Sequence, residues 1–129
     1  MLEVRSRPIL TSSFSRLEDF TPATGSAYLY ASSGEERSAH SPSWEATARD
    51  VQFCRVIDQS PAGLTVGLGD EQMLVSLRSV RSLGQLVARV HERIVYLDIT
   101  GLAHHVWAPL LRALIASGRE VRVVYVEPG

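Results

Sequence analysis

The sequence contains no lysine and only one cysteine. The basic residues bear on nucleic-acid binding, and the single cysteine bears on disulfide pairing. All 13 basic residues are arginine, and 14 acidic residues leave a net charge of -1. There is therefore no basic excess to neutralise a nucleic-acid backbone, so we expect no bulk nucleic-acid binding. Cys54 has no second thiol to pair with. Its place inside the apolar run 51–57 predicts a small buried core residue.

Long hydrophobic runs are also lacking. No uninterrupted apolar stretch reaches the roughly 18 to 20 residues that a membrane span requires. No charged-then-apolar segment typical of a secretion signal opens the sequence. We therefore expect a cytoplasmic protein that does not contact the membrane.

The composition that is present is that of an ordinary globular domain. Of the 129 residues, 45% are hydrophobic and 21% are charged, which favours neither disorder nor a fibrous class. A chain of this length buries roughly two thirds of the surface that its unfolded form exposes. One domain with one hydrophobic core is the expectation.

The most informative stretch is 93–101, an apolar run that ends in a polar turn closed by glycine. Its apolar residues occupy both faces, as in the central strand of a parallel sheet covered by helices on both sides. In such sheets small ligands bind beyond the carboxyl ends of the strands. The stretch therefore predicts a central strand that delivers Asp98, Thr100 and Gly101 to a ligand-binding edge.

Other segments have the apolar, β-branched character of strands. They are 27–31, taken as the first core strand, 51–57 and 120–126. The runs 64–68 and 73–77 are separated by Gly69 and Asp70, which predicts a β-hairpin, with a helix from Glu71 as the alternative.

Three segments have helical signals. Ser41 and Pro42 open a helix that runs to about Asp50, and the apolar spacing in 79–91 predicts a second. The third follows Gly101. If Pro109 occupies the first turn, this helix starts near Trp107 and both histidines lie in the preceding loop; if it starts near Leu102, Pro109 kinks it. We favour the first interpretation.

This alternation predicts an α/β fold with a Rossmann-like, mostly parallel sheet flanked by helices and an optional β-hairpin insertion. Residues 1–26 would form an N-terminal arm and residues 27–129 the domain. Because doubly wound sheets often continue after such a strand, it stays open whether the domain is the N-terminal part of a longer protein.

Polar residues follow two of the predicted strands, and Glu127 follows a third predicted strand, 120–126. All three strand ends are expected at the same edge of the sheet. The turn after the first strand can offer backbone N–H groups to an anion, with Arg37 as a clamp. Asp98 either accepts hydrogen bonds from a ligand or simply caps its own turn. The predicted ligand-binding residues are Ser32, Ser33, Gly34, Arg37, Asp98, Thr100, Gly101 and His104.

An enzyme is the second hypothesis, with Glu36, Asp98 or His104 as the acid/base. The alternative is that Glu36 belongs to a solvated patch and that His104 is an ordinary loop or interface residue. The sequence has no dinucleotide-binding GxGxxG, Walker lysine or nucleophile-elbow motif, and no HExxH or CxxC pattern. We therefore expect no metal and no cofactor, and leave catalysis uncertain.

The segment Leu97-Asp98-Ile99-Thr100-Gly101, followed by a helix and a strand, resembles CARF domains, the nucleotide-sensing Rossmann-like domains of CRISPR-associated proteins. Leu102 stands where a second glycine is common in them. The resemblance implies a cytoplasmic prokaryotic protein of antiviral defence that dimerises and binds cyclic oligonucleotides or other phosphorylated nucleotides. It carries over Ser33, Arg37, Thr100 and Gly101 as binding positions.

Three functions follow as hypotheses. The first is a sensor domain that binds a nucleotide-type small molecule and acts on a second copy or on a partner domain. The second is an enzyme that hydrolyses a nucleotide or NAD. The third is an assembly scaffold.

Overall fold

The computed structural model describes residues 20–31 and 50–126. The predicted helix from Ser41 and all but the end of the predicted arm lie outside these ranges. The elements within them, in chain order, are β1 (Ser26–Ala31), β2 (Val51–Gln59), β3 (Gly63–Leu68), β4 (Glu71–Ser76), α1 (Val80–Arg89), β5 (Ile94–Asp98), α2 (His104–Ala116) and β6 (Glu120–Val124).

The six strands form one mixed sheet in the order β4-β3-β2-β1-β5-β6. β1 pairs in parallel with β2 and β5, and β5 pairs in parallel with β6. β3 is antiparallel to both β2 and β4. The α/β class is confirmed, but the prediction of a mostly parallel sheet is corrected to a mixed one, because the predicted hairpin forms one end of the sheet itself.

The hairpin turns at Gly69 and Asp70, where Gly69 has a φ of 65°. This left-handed conformation suits glycine, which has no Cβ to clash with the backbone. The turn lets Leu68 pair with Glu71 at the closed end of the hairpin. The alternative of a helix from Glu71 is therefore wrong.

β1, rather than the 93–101 stretch, is the most buried strand. All six of its residues are buried, whereas Ile94 at the start of β5 is partly exposed. β5 is nevertheless an internal strand, since it lies between β1 and β6. The middle of the six-stranded sheet therefore lies between β2 and β1, one strand away from the predicted central stretch 93–101.

Both described helices cover the same face of the sheet, which we call the helix face. Leu86 of α1 and Leu110 of α2 belong to one aliphatic core with Leu29 of β1 and Leu97 of β5. Each such fully buried side chain contributes roughly 1.5 to 3 kcal/mol to folding. The helix face therefore holds most of the aliphatic core among the described residues.

The shared face has a topological reason. The β4-to-β5 connection through α1 and the β5-to-β6 connection through α2 both move in the same direction along the sheet. Right-handed crossovers that move in the same direction place their helices on the same side. The expectation of helices on both faces is therefore not met by α1 and α2.

The opposite face, which we call the tyrosine face, is built differently. Its buried aromatic residues are Tyr28, Tyr30 and Tyr96, and Phe20 and Phe53 pack against them. The rings of Tyr28 and Tyr96 lie 5.9 Å apart, and those of Tyr28 and Phe53 lie 6.1 Å apart. These separations are typical of aromatic pairs. The tyrosine side chains thus place hydroxyl groups in the interior on this face.

Candidate functional site

The carboxyl ends of β1, β2, β5 and β6 lie at one edge of the sheet, because these four strands run in the same direction. The chain continues from β1 to β2 on one side of β1. From β5 it continues through α2 to β6 on the other side. Neighbouring strands whose connections lead in opposite directions leave a crevice at which α/β sheets bind ligands. Here the strands at which the connections separate are β1 and β5.

Asp98 stands at this point and is 2% exposed. One carboxylate oxygen accepts a hydrogen bond from the Tyr28 hydroxyl at 2.7 Å. The other accepts from the backbone N–H of Thr100 at 3.0 Å. The turn-capping interpretation of Asp98 thus matches its contacts, and the buried carboxylate ties the turn to the tyrosine face.

The rest of the turn is also fastened to neighbouring elements. The Thr100 hydroxyl accepts a hydrogen bond from the backbone N–H of Val126 at 2.9 Å, and Thr100 is 7% exposed. The Ile99 N–H donates to the Val124 carbonyl at 3.0 Å. A hydroxyl that accepts from the backbone still has its own proton to donate. The turn is therefore preformed.

Gln59 at the end of β2 reaches across the end of β1 to the same turn. Its side-chain amide donates to the Gly101 carbonyl at 3.0 Å and accepts from the Ala103 N–H at 3.1 Å. The amide thus supplies both a donor and an acceptor to the segment between β5 and α2. No pattern in the sequence predicts that Gln59 belongs to the site.

A β-bulge explains the direction in which Gln59 points. The register shifts between Val56 and Asp58, so that Asp58 pairs with Thr65 and Gln59 pairs with Leu64. Leu64 belongs to the aliphatic core on the helix face, and directly paired residues share a face. Without the extra residue, strict alternation from Val56 would turn Gln59 toward the tyrosine face.

α2 begins at this edge, and its start differs from the favoured prediction. The helix spans His104–Ala116, so both histidines are helical and Pro109 lies inside the helix. The Ala103 carbonyl accepts from the N–H groups of Val106 and Trp107 at 2.9 and 3.0 Å. Val106 is completely buried, and its burial stabilises a first turn ahead of Pro109.

Within residues 20–31 and 50–126, no side chain caps the N-terminus of α2. Its N-cap residue is Ala103, which has no polar side chain, and there is no acidic residue in the first turn. Exposed backbone N–H groups and the positive end of the helix dipole favour anions at such a position. The carboxyl edge thus has an anion-compatible helix end beside the Thr100 turn.

The two histidines of the first turn have different contacts. The ring of His104 lies 4.7 Å from that of Trp107 in an edge-on arrangement. A ring nitrogen of His105 lies 3.2 Å from the Ser60 carbonyl. Both are exposed, so His104 is available to a ligand at this edge.

The tyrosine face also holds a polar cluster around Tyr96, whose hydroxyl points toward the segment before β1. The Tyr96 hydroxyl accepts from the Ala23 N–H and from the Arg122 guanidinium, each at 3.2 Å. Arg122 also donates to Glu120 at 2.6 Å. The hydrogen bond to Glu120, and then that to Tyr96, raises the pKa of the Arg122 guanidinium. Arg122 is therefore a permanent cation at the edge of the sheet.

Cys54 lies in the middle of β2 and is fully buried on the helix face. Burial raises the pKa of its thiol to about 12. The thiol is therefore protonated at neutral pH, and the prediction that Cys54 is a small buried core residue is confirmed.

The structure brings together four of the predicted site residues, namely Asp98, Thr100, Gly101 and His104. Five others, Ser32, Ser33, Gly34, Glu36 and Arg37, lie outside the described residues, as does Glu127. Tyr28 and Gln59 were missed. In the sequence, Tyr28 is indistinguishable from the other apolar residues of its strand. The bulge that orients Gln59 has no signature in the sequence.

Within residues 20–31 and 50–126, no three His, Cys, Asp or Glu side chains gather as metal ligands would. Neither described helix is long and apolar enough to cross a membrane. Comparison with protein-family models, curated proteins and solved structures finds no match.

Proposed function

We propose that this protein is a Rossmann-like sensor module that binds a nucleotide-type small molecule at the carboxyl edge of its parallel strands. The observation that carries the proposal is that the connections after the neighbouring parallel strands β1 and β5 lead in opposite directions along the sheet. Asp98, buried at the end of β5, fastens the turn that follows this strand. This is the position at which α/β sheets place their ligands.

The anionic character of the ligand is argued from α2. The helix has 13 residues, an alanine at its N-cap and no acidic residue in its first turn. A phosphate at this end would accept from backbone N–H groups and offset the positive end of the helix dipole. The hydroxyl proton of Thr100 and the ring of His104 would add hydrogen-bond donors.

Asp98 and Gln59 act as positioning residues in this proposal. The Asp98 carboxylate already accepts from Tyr28 and Thr100, and the Gln59 amide already bridges Gly101 and Ala103. They hold the turn at low entropic cost before the ligand arrives, which favours affinity. The residues that contact the ligand are Thr100, Gly101 and His104.

The resemblance of 97–101 to CARF domains supports the same ligand class and suggests antiviral defence as the setting. In that setting the module would pass a binding signal to a second copy or to a partner domain. The ligand class would be a cyclic oligonucleotide or another phosphorylated nucleotide.

Thermal unfolding with a panel of AMP, ATP, NAD and a cyclic dinucleotide tests the proposal. A probe present at about 100 times its dissociation constant stabilises the folded state by roughly 2.7 kcal/mol. We expect at least one probe to raise the unfolding temperature, and Thr100→Val and His104→Ala to reduce the rise.

His91→Ala is the matched control, since His91 is an exposed histidine at the opposite edge of the sheet. It should leave the ligand-induced rise unchanged. Absence of a shift with every probe, or an equal loss in the His91 variant, would contradict the proposed site.

A further inference from the structure

Trp107 and His104 form an aromatic pair on the first turn of α2. Their rings lie 4.7 Å apart, and their planes meet at 76°. In such an edge-on pair the edge of one ring meets the face of the other, so ring faces stay uncovered that a stacked pair would bury. His104 is exposed and Trp107 is partly exposed. The pair therefore offers aromatic surface to a ligand at the start of α2.

The Trp107 side chain lies on the side of α2 toward β6. His105 contacts the Ser60 carbonyl, which lies beyond the end of β2 on the other side. Residues two apart on a helix point in nearly opposite directions, so Trp107 faces away from β2. The Thr100 hydroxyl is hydrogen-bonded to Val126, which follows β6. Trp107 and this hydrogen bond therefore lie on the same side of the helix start.

The first turn of α2 also has backbone donors to offer. Within residues 20–31 and 50–126, no acceptor takes the N–H groups of His104 and His105. A phosphate bound to these groups would lie about one helical turn, roughly 5 Å, from Trp107 along the helix axis. Long side chains on a helix lean toward its N-terminus, which brings the indole closer to that phosphate. A ribose bridges a separation of this size between a phosphate and a base.

We infer that Trp107 stacks on the base of the bound nucleotide and is the residue by which the site selects nucleotides over sugar phosphates. This inference rests on the proposed function and deepens it. The start of α2 recognises only a negative charge, whereas every nucleobase has a flat π face on which an indole can stack. Such stacking depends little on which base is present, so Trp107 selects the class of ligand rather than one base.

The apolar groove along α2 supplies a matched control for Trp107. Leu111 and Ile115 follow Trp107 at four-residue spacing and line the same groove. Ile115 is 59% exposed, and it lies roughly 12 Å from Trp107 along the helix axis. A base stacked on the indole, with its phosphate at the helix start, does not extend that far. Ile115→Ala therefore removes apolar surface from the groove without touching the base.

The test compares AMP with ribose 5-phosphate, which has the same sugar and phosphate but no base. Calorimetric titration of the full chain should show that AMP binds more tightly. Trp107→Ala should weaken AMP binding roughly five- to 150-fold and leave ribose 5-phosphate binding unchanged, a selective loss that a merely structural role would not produce. Trp107→Phe keeps an aromatic face and should retain most of the preference for AMP, and Ile115→Ala should retain all of it.

Fluorescence provides a second measurement if Trp107→Ala fails to fold. In Trp44→Phe, Trp107 is the only tryptophan, and AMP should quench its emission whereas ribose 5-phosphate should not. Equal binding of the two probes, or a preference for AMP that Trp107→Ala leaves intact, would overturn the inference but not the anion site at the start of α2. Binding of neither probe would also overturn it. The proposed function fails as well only if every nucleotide in the thermal-unfolding panel gives no shift.

Discussion

The two described helices differ in the side chains that form hydrogen bonds with their ends. At the N-terminus of α1, the Ser79 hydroxyl accepts from the Ser82 N–H at 3.1 Å. At its C-terminus, the Arg119 guanidinium donates to the carbonyls of Val87 and Val90 at 3.2 and 2.6 Å. The N-cap residue of α2 is Ala103, whose side chain makes no capping hydrogen bond.

Neither helix has an acidic residue in its first turn, so the difference lies in the side-chain hydrogen bonds that satisfy the helix ends. A hydroxyl and an arginine satisfy both ends of α1, which favours a purely structural helix. At α2 the N-cap residue supplies no such hydroxyl, at the same edge where the connections after β1 and β5 lead in opposite directions. The contrast is what favours an external anion there.

A second comparison links the two edges of the sheet. Gln52 near the start of β2 donates to the Arg89 carbonyl at 2.8 Å and accepts from the His91 N–H at 3.0 Å. Gln59 makes the equivalent pair of bonds with Gly101 and Ala103. One strand therefore fastens the end of α1 at one edge and the start of α2 at the other.

Replacing Asp98 should have the largest effect on stability. Asp98→Ala leaves the buried Tyr28 hydroxyl and the Thr100 N–H without their acceptor, at a cost of about 2 to 4 kcal/mol in the free energy of unfolding. Asp98→Asn should cost less, because one amide oxygen remains an acceptor. Denaturant unfolding measures both. Asp58→Ala is the control, since Asp58 is exposed; a loss in that variant as large as in Asp98→Ala would refute the structural role of Asp98.

Cys54, between the two glutamines, reports on the middle of β2. The thiol has a pKa of about 12 in the folded protein against 9.0 ordinarily. Between these values the unfolded chain loses its proton and the folded chain keeps it, so stability falls as pH rises. The expected slope is about 1.4 kcal/mol per pH unit.

The measurement is unfolding between pH 9 and 11 for the natural sequence and for Cys54→Ala, which should lack this contribution to the slope. Thiol labelling at pH 8 should occur only upon unfolding. Rapid labelling of the folded protein would show that β2 opens locally.

Substitution of the two glutamines should show which of them supports stability alone and which also supports nucleotide binding. Gln59→Ala and Gln52→Ala each remove two hydrogen bonds to partly hydrated backbone groups, and each should cost about 1 kcal/mol. Only Gln59→Ala should also weaken nucleotide binding, because only it loosens the turn at the carboxyl edge. Calorimetric titration of both variants checks this, and equal affinities would count against Gln59 as a positioning residue.

Capping α2 should give the smallest change in stability. It allows the effect of a cap on stability to be compared directly with its effect on anion binding. Ala103→Asp should stabilise the helix by about 0.5 to 1 kcal/mol, since it adds a capping oxygen and a negative charge. The same carboxylate should repel an anionic ligand. Ala103→Ser adds a cap without charge and is the control. Tighter nucleotide binding by the Asp variant would argue against an anion at this helix end.

Regular features of the fold could be predicted from the sequence. The alternation in 64–68 and 73–77 with Gly69 between them predicted the hairpin, which is confirmed. The apolar spacing of 79–91 predicted α1, which spans Val80–Arg89. In these segments local propensity and tertiary burial favour the same structure, so pattern alone suffices.

The errors occurred where tertiary contacts override a local rule. Pro109 favoured a helix start near Trp107, but burial of Val106 and the contact between His105 and Ser60 stabilise an earlier turn. The bulge after Val56 turns Gln59 to the helix face, and alternation alone would have placed it on the other. The Asp98 turn was identified, but the partner that fastens it, Tyr28, lies 70 residues away in sequence.

The most direct test is amide chemical-shift mapping by NMR while the nucleotide panel is added. The account predicts that a binding nucleotide perturbs the N–H signals of Thr100 to His105 and leaves those of Gly69 and His91 unchanged. Perturbations confined to the opposite edge of the sheet, or none with any nucleotide, would contradict it.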